Sequence, residues 1–445
     1  GLGYIIGLRY AATICAGSFL SYWVLVPVFG KLGAAAPGTL FPGRPPLQGL
    51  GWEGLFYQYV RYIGIGGIFA AGVISIIKMS PVMVQAMGKV GVEVRRLAGR
   101  HKDEGATTRT EIDLKMSQVV GGVIVLAIVL FLYFRFAVLT GYSGATPLAL
   151  VALVLTLVIA FLFAAVSAWA VATISITPVS GMTLTTLIVS AVLLSQMGLS
   201  GTGGMLAVLL IGGVVCTALS TTGSLVTLFK TGYWIGATPR RIQLSVIGGA
   251  AVAAVSVTAA IVLFAHTHGF VATAAHPKPM PAPQANAMAA VIQSVMASAQ
   301  APWFLFGMGA VVAVCVTLVG VSPLAFALGM YLPMELNTPL LLGAIVAWFV
   351  RRGAEDKALA RARGNRGTLI ASGFIAGGAL AGVLDALVKV VREAIHRPEG
   401  EPNQAYLDGA GNWVGLAVFL GLALFMWWHA RRAKPEEGAG PQIQM

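Results

Sequence analysis

Long apolar runs recur along the chain, parted by short polar or Gly/Pro-rich stretches. A helix needs ~20 mostly apolar residues to cross a bilayer. On that measure residues 9–29, 55–77, 117–139, 147–170, 203–229, 243–265, 303–319, 368–391 and 412–428 are expected to be spanning helices. Two stretches break the pattern. Residues 173–181, TISITPVSG, are uncharged and interrupted by Pro178 and Gly181 before a helix resumes at 182–197. Residues 319–348 are apolar enough for a bilayer, yet enclose Tyr331-Leu332-Pro333-Met334-Glu335-Leu336-Asn337-Thr338-Pro339. Pro333 and Pro339 each remove a backbone donor and crowd the preceding turn, so a continuous helix is not expected there. Non-helical backbone at membrane depth requires burial in protein or a watery cavity. Paired interrupted segments of this kind point to repeat halves around a midplane site.

Composition fixes the class. The 445 residues are 57% hydrophobic and 10% charged, with mean hydropathy +0.84; a soluble chain carries about 25% charge. The expected fold is all-α, one polytopic transmembrane bundle over residues 1–445 with interrupted or re-entrant helices and internal repeats. The net charge of +13 then marks topology and anionic headgroups rather than nucleic acid. Cys15, Cys216 and Cys315 lie inside apolar runs without disulfide or metal spacing. The chain begins at Gly1 without Met, inside what looks like the lead-in to a helix, so an N-terminal portion is expected to be missing.

Stretches 79–116, 230–241, 351–366 and the tail from His429 hold about 19 Lys/Arg, the opposite loops about five. The positive-inside rule places the first set, including a 79–116 loop and a 429–445 tail, in the cytoplasm. Within 79–116, residues 82–97 could form a basic amphipathic surface helix. Between His266 and Arg351 an odd number of crossings is needed. Either the broken segment enters from the cytoplasm, turns near Pro333–Pro339 and returns, or the amphipathic piece 284–297 crosses; the mid-segment break favours the former.

Glu335 is the sharpest candidate, because a carboxylate at membrane depth is a functional group by default and could carry a coupled proton. Tyr331, Asn337 and Thr338 flank it; they could contact a peptide's ends or simply cap half-helices. At the first break Thr177, Ser180, Gly181 and Thr183 could meet an anionic substrate group at a helix start, or steady packed helices. Gln284 and Asn286 could gate or touch substrate, or begin a surface helix. Asp385 and Lys389, four apart on one helix face, can pair; Asp385 is the second candidate for proton coupling. Arg9, Arg61 and Arg135 read as snorkelling or paired cations. His266, His268 and His276 lack a neighbouring Cys or carboxylate, so no metal site is expected, and no cofactor pattern occurs. A membrane protease would need paired aspartates, HExxH or a Ser–His dyad; none is present, so no enzyme is expected. A passive channel would also use interrupted helices.

Five pieces together resemble the oligopeptide transporter superfamily, in particular its bacterial members and yellow-stripe-like branch. They are GLGYIIGLRYA at 1–11, TPVSGMTLTTL at 177–187, LFKTGYWIGATPRRIQ at 228–243, APQANAMAAVIQ at 282–293 and LGMYLPMELNTPLLLGA at 328–344. The resemblance implies a proton-driven symporter in a bacterial cytoplasmic membrane, carrying short peptides or metal chelates, with additional N-terminal chain. A homodimer is left open. One departure stands out: hydroxyls from Ser220 to Thr227 replace the acidic and amide residues common before KTG in the family.

Overall fold

The computed structural model describes residues 1–35, 45–74, 77–78, 80–81, 109–142, 144–174, 179–270, 280, 282–296, 302–353, 356–395 and 407–434. All regular structure among them is helical, as a bilayer requires of chains that cannot satisfy backbone groups with water. Helices α1 (Leu2–Phe19) and α2 (Val26–Ala35) are joined by a π-helical turn, Leu20–Leu25. Helix α3 (Trp52–Leu55) runs through a second π turn, Phe56–Val60, into α4 (61–74). There follow α5 (Met116–Tyr133), α6 (Ala145–Ile174), α7 (Val179–Gln196), α8 (Gly201–Trp234) and α9 (Pro239–Thr267). The rest are α10 (Pro283–Met296), α11 (Trp303–Leu318), α12 (Pro323–Tyr331), α13 (Met334–Arg352), α14 (Lys357–Ala394) and α15 (Asn412–Arg431).

Among the described residues, seven helical stretches are long and apolar enough to cross a membrane, and two shorter ones are equally apolar. The protein is a polytopic helical membrane protein. The predicted spans are helical, although 55–77 is not among the seven and 303–319 is one of the two shorter helices; two further differences appear. The basic stretch 357–366, expected as loop, forms the first turns of the 38-residue α14. The expected basic loop 230–241 shrinks to the few residues between α8 and α9. Residues 82–108, including the expected surface helix, lie outside the described residues.

The core is built in two groups. One joins α5, α6, α7, α8 and α10 through residues such as Phe134, Leu187, Ile211 and Ile292. Ser167 of α6 donates to the Leu219 carbonyl of α8 at 3.2 Å, a hydroxyl tie between apolar helices. The other group gathers α1, α2, α4, α11, α12, α13, α14 and α15. A third cluster bridges them: Ile65 and Ile68 of α4, Leu184 and Ile188 of α7, Val291 of α10, and Ala327 and Tyr331 of α12. Thus α7 and α12, which belong to the two interrupted segments, contribute to one cluster.

Helices α12 and α13 do not lie along one another as a hairpin; each packs on α1. Helix α10 packs against α7 and α8, with Ile292 and Met296 buried.

Basic side chains cap aromatic rings at the ends that charge assigns to the cytoplasm. Lys230 lies 5.4 Å from the Trp234 ring, Arg352 4.5 Å from Trp348 and Arg432 3.5 Å from Trp428. Such aromatic–cation ends are typical of headgroup level. With the native cysteines removed, a cysteine at exposed Ala358 should stay unlabelled by an impermeant thiol reagent on intact cells, and one at Gly409 should label. The reverse pattern would overturn the assigned sidedness.

Candidate functional site

Ser322 caps α12 by accepting from the Ala325 N–H, and Pro323 occupies the first turn, where its missing donor is harmless. The helix stops at Tyr331 because Leu332 precedes a proline and is pushed out of the helical region. Leu332 and Pro333 are both extended, with ψ of 144° and 141°. Helix α13 then begins at Met334 and runs through Pro339. The break is therefore narrower than the sequence suggested: two residues rather than nine.

A second break lies opposite. Gly7 in α1 adopts φ 80°, ψ 167°, a conformation open to glycine and strained for other residues. The chain bends there so that both arms of α1 reach the same part of α13. A Cβ at Gly3 would fall 1.9 Å from the Leu340 carbonyl oxygen, while the Cys15 thiol donates to the Asn337 carbonyl at 3.0 Å. Along α12 the approach is as close: Gly17 abuts the Phe326 backbone and Gly329 the Ile14 backbone. Small residues permit this contact between helices.

Polar side chains tie the broken ends. Ser18 donates to the Gly329 carbonyl at 2.8 Å and accepts from Asn337 Nδ2 at 2.5 Å; Ser21 donates to the Met330 carbonyl at 3.1 Å. These three groups satisfy backbone carbonyls that α12 loses at its end. Thr338 donates to the Met334 carbonyl at 3.1 Å, inside its own helix. Asn337 and Thr338 thus spend these donors inside the protein. Asn337→Ala should lower thermal stability in detergent by about 1–3 kcal/mol, because it unties buried groups. Thr338→Val should change it by less than about 1 kcal/mol, since only a helix back-bond goes. Equal effects of the two would remove the clamp from the account.

Beside the clamp lies a second set of groups. Arg61 of α4 donates to the Tyr331 hydroxyl, and its guanidinium carbon sits 4.5 Å from the Tyr331 ring centroid and 5.5 Å from that of Tyr57. Tyr331 is almost fully buried. The Tyr22 hydroxyl lies against the Met334 backbone, within electrostatic reach of Tyr57, Glu335 and Arg61. Glu335 itself stands exposed in the first turn of α13. One cation, one carboxylate and three phenols thus converge on the break. Tyr331 and Glu335 were legible as candidates; Arg61, Tyr22 and Ser18 were not, because only the fold brings α1 and α4 here.

The first interrupted segment is described only in part. Thr177 lies outside the described residues. Ser180 and Gly181 fall in the first turns of α7, and Gln284 and Asn286 in the first turns of α10. Thr183 is buried and donates to the Val179 carbonyl at 2.7 Å. In α8, Thr222, Ser224 and Thr227 likewise donate to their own helix, so these hydroxyls close on backbone.

Asp385 is elsewhere, on α14 against the end of α9. Its carboxylate lies 3.6 Å from Lys389 Nζ, forming the expected pair, and 3.7 Å from His268 Nε2. Thr267 spends its hydroxyl hydrogen on the Leu263 carbonyl, so His268 Nδ1 donates to Thr267 at 2.8 Å and Nε2 faces Lys389 at 3.0 Å. Among the described residues no three His, Cys, Asp or Glu converge as a metal site; His276 lies outside them.

The comparisons agree with this architecture. A profile of the family described as OPT oligopeptide transporter protein matches residues 1–389. A Haemophilus influenzae protein, provisionally described as an oligopeptide transporter, is 28% identical over 465 residues, spanning 96% of this chain and 71% of that protein. With its interrupted helices packed around one polar break, the chain belongs to the oligopeptide transporter family.

Proposed function

We propose that this protein is a secondary active transporter that moves oligopeptides, or peptide-like metal chelates, across a bacterial cytoplasmic membrane with protons. The observation that carries the reading is Arg61 resting on buried Tyr331 at a helix break, with Glu335 exposed in the first turn of the next helix. Charges among apolar membrane helices are expensive and are retained where a polar ligand or ion passes. Tyr331 and Ala327 also share a buried cluster with residues of α7 and α10, which supports a site between the two interrupted segments. Substrate binds at the break, Glu335 carries the coupled proton, and α7 and α10 close the other side.

The test is uptake into proteoliposomes under an imposed proton gradient, with short peptides and iron chelates in parallel. Saturable accumulation that collapses with a protonophore supports the reading. Unsaturable flux that follows only the substrate gradient would make the protein a channel. Accumulation without proton dependence would leave a carrier with another driving ion.

A further inference from the structure

Arg61 is a poor match for its own surroundings. It lies nine residues past the start of α3, roughly 14 Å along a helix, and is half-buried. Its guanidinium lies 5.5 Å from the ring of Tyr57, one turn back toward the helix start. It turns onto α12 and rests on Tyr331. A guanidinium has five N–H donors, yet among the described residues Arg61 makes one hydrogen bond, to the Tyr331 hydroxyl. Among them, too, no carboxylate lies within ion-pair distance of it. The buried polar atoms left without partners are Ser190 Oγ and Arg363 Nε. Among the described residues the remaining donors of Arg61 are not among these, in keeping with its half-buried position. A cation held by aromatic rings, anchored through one nitrogen and open at the others, is built to receive an anion.

We propose that Arg61 binds the C-terminal carboxylate of the peptide substrate, with Tyr331 as the residue that holds the guanidinium in place. This rests on the peptide reading given above. The planar fork of arginine matches a carboxylate through two parallel N–H donations, which a lysine ammonium cannot reproduce. Stacking on Tyr331 and Tyr57 fixes the plane of the fork, so little side-chain freedom is lost on binding. Glu335 stands near enough for Tyr22 to feel both charges. The break thus carries a cation and, in the first turn of the next helix, a carboxylate for the two ends of a zwitterionic peptide. A neutral or C-terminally blocked ligand would leave the Arg61 charge without a counter-ion, and that penalty gives selectivity.

The experiment measures binding of trialanine and of trialanine amide to the purified full chain in lipid nanodiscs. Wild type should bind the free acid at least about tenfold more tightly than the amide, the value of one charge-assisted contact. Arg61→Gln should bring the acid down to the amide's affinity while the amide changes by less than about twofold. Arg61→Lys, which keeps the charge and guards against loss of folding, should retain part of the preference. Tyr331→Phe should weaken the acid selectively, though less than Arg61→Gln. Equal binding of acid and amide by wild type would overturn the role of Arg61 and leave the peptide reading standing. So would an Arg61→Gln loss shared equally by both. Binding of neither peptide by wild type would overturn the peptide reading, and this assignment with it.

Discussion

Glu335→Gln should abolish accumulation of substrate against its gradient while leaving exchange across the membrane in place. The carboxylate stands two residues past Pro333, at the start of α13 where the helix reopens. It is exposed in this structure. Excluding water from a carboxylate penalises its ionised form. A site that closes over substrate then favours Glu335 loaded with a proton, and one that opens to the cytoplasm favours release. Alternating access would move proton and substrate together. Glutamine keeps the shape and a hydrogen-bonding end but carries no titrating proton. Counterflow of labelled against unlabelled peptide needs no net proton movement and should survive. Glu335→Ala should be worse in both assays, since the polar end is lost as well. The measurement pairs gradient-driven uptake with counterflow on the same vesicles. Unchanged accumulation by the Gln variant, with the same dependence on external pH, would exclude Glu335 as the coupling group. Asp385 would then be the remaining candidate, and its His268–Lys389 surroundings the place to look.

The spans were legible because hydropathy reports the one constraint a bilayer enforces on every residue of a crossing. Pro333 made the main break legible for a similarly local reason: it restricts Leu332 directly. The rest depended on contacts that sequence order hides. Gly7 breaks α1, but glycine is frequent throughout the chain, and nothing local separates Gly7 from a packing glycine such as Gly17. The stretch 357–366 was read as loop because its charge speaks of sidedness. Lys, Ala and Arg are also strong helix formers, and α14 simply extends through them into water. For Asn337 the sequence left substrate contact and helix capping open, because its partner Ser18 is 319 positions away. For Arg61 it left snorkelling and pairing open, because only the fold shows that its side chain lies on Tyr331 of α12.

The same docking makes one glycine the most sensitive position in the helix framework. Gly329→Leu should strip the protein of both transport and its folded, monodisperse state. A Cβ at Gly329 would stand 1.8 Å from the Ile14 carbonyl oxygen and 2.7 Å from its carbonyl carbon. The obstacle is backbone of α1, which cannot swing aside as a side chain can. Accommodation would require α1 and α12 to separate. Separation would also break the Ser18 bond to the Gly329 carbonyl and unseat Asn337. Overpacking in a close-packed core costs about 1–3 kcal/mol, and each buried hydrogen bond lost adds about 1 kcal/mol or more. The expected destabilisation is therefore at least about 3 kcal/mol, a large part of a marginal total. Gly378→Leu is the matched control, because a Cβ on that face of α14 meets nothing within 4 Å. Thermal unfolding in detergent should place Gly378→Leu with wild type and Gly329→Leu well below it. Ser18→Ala should fall between them, since it removes the bond without the clash. Should Gly329→Leu melt with the control and still transport, α1 cannot be seated on α12 at the break. The clamp around Asn337, and the site built beside it, would then have no scaffold.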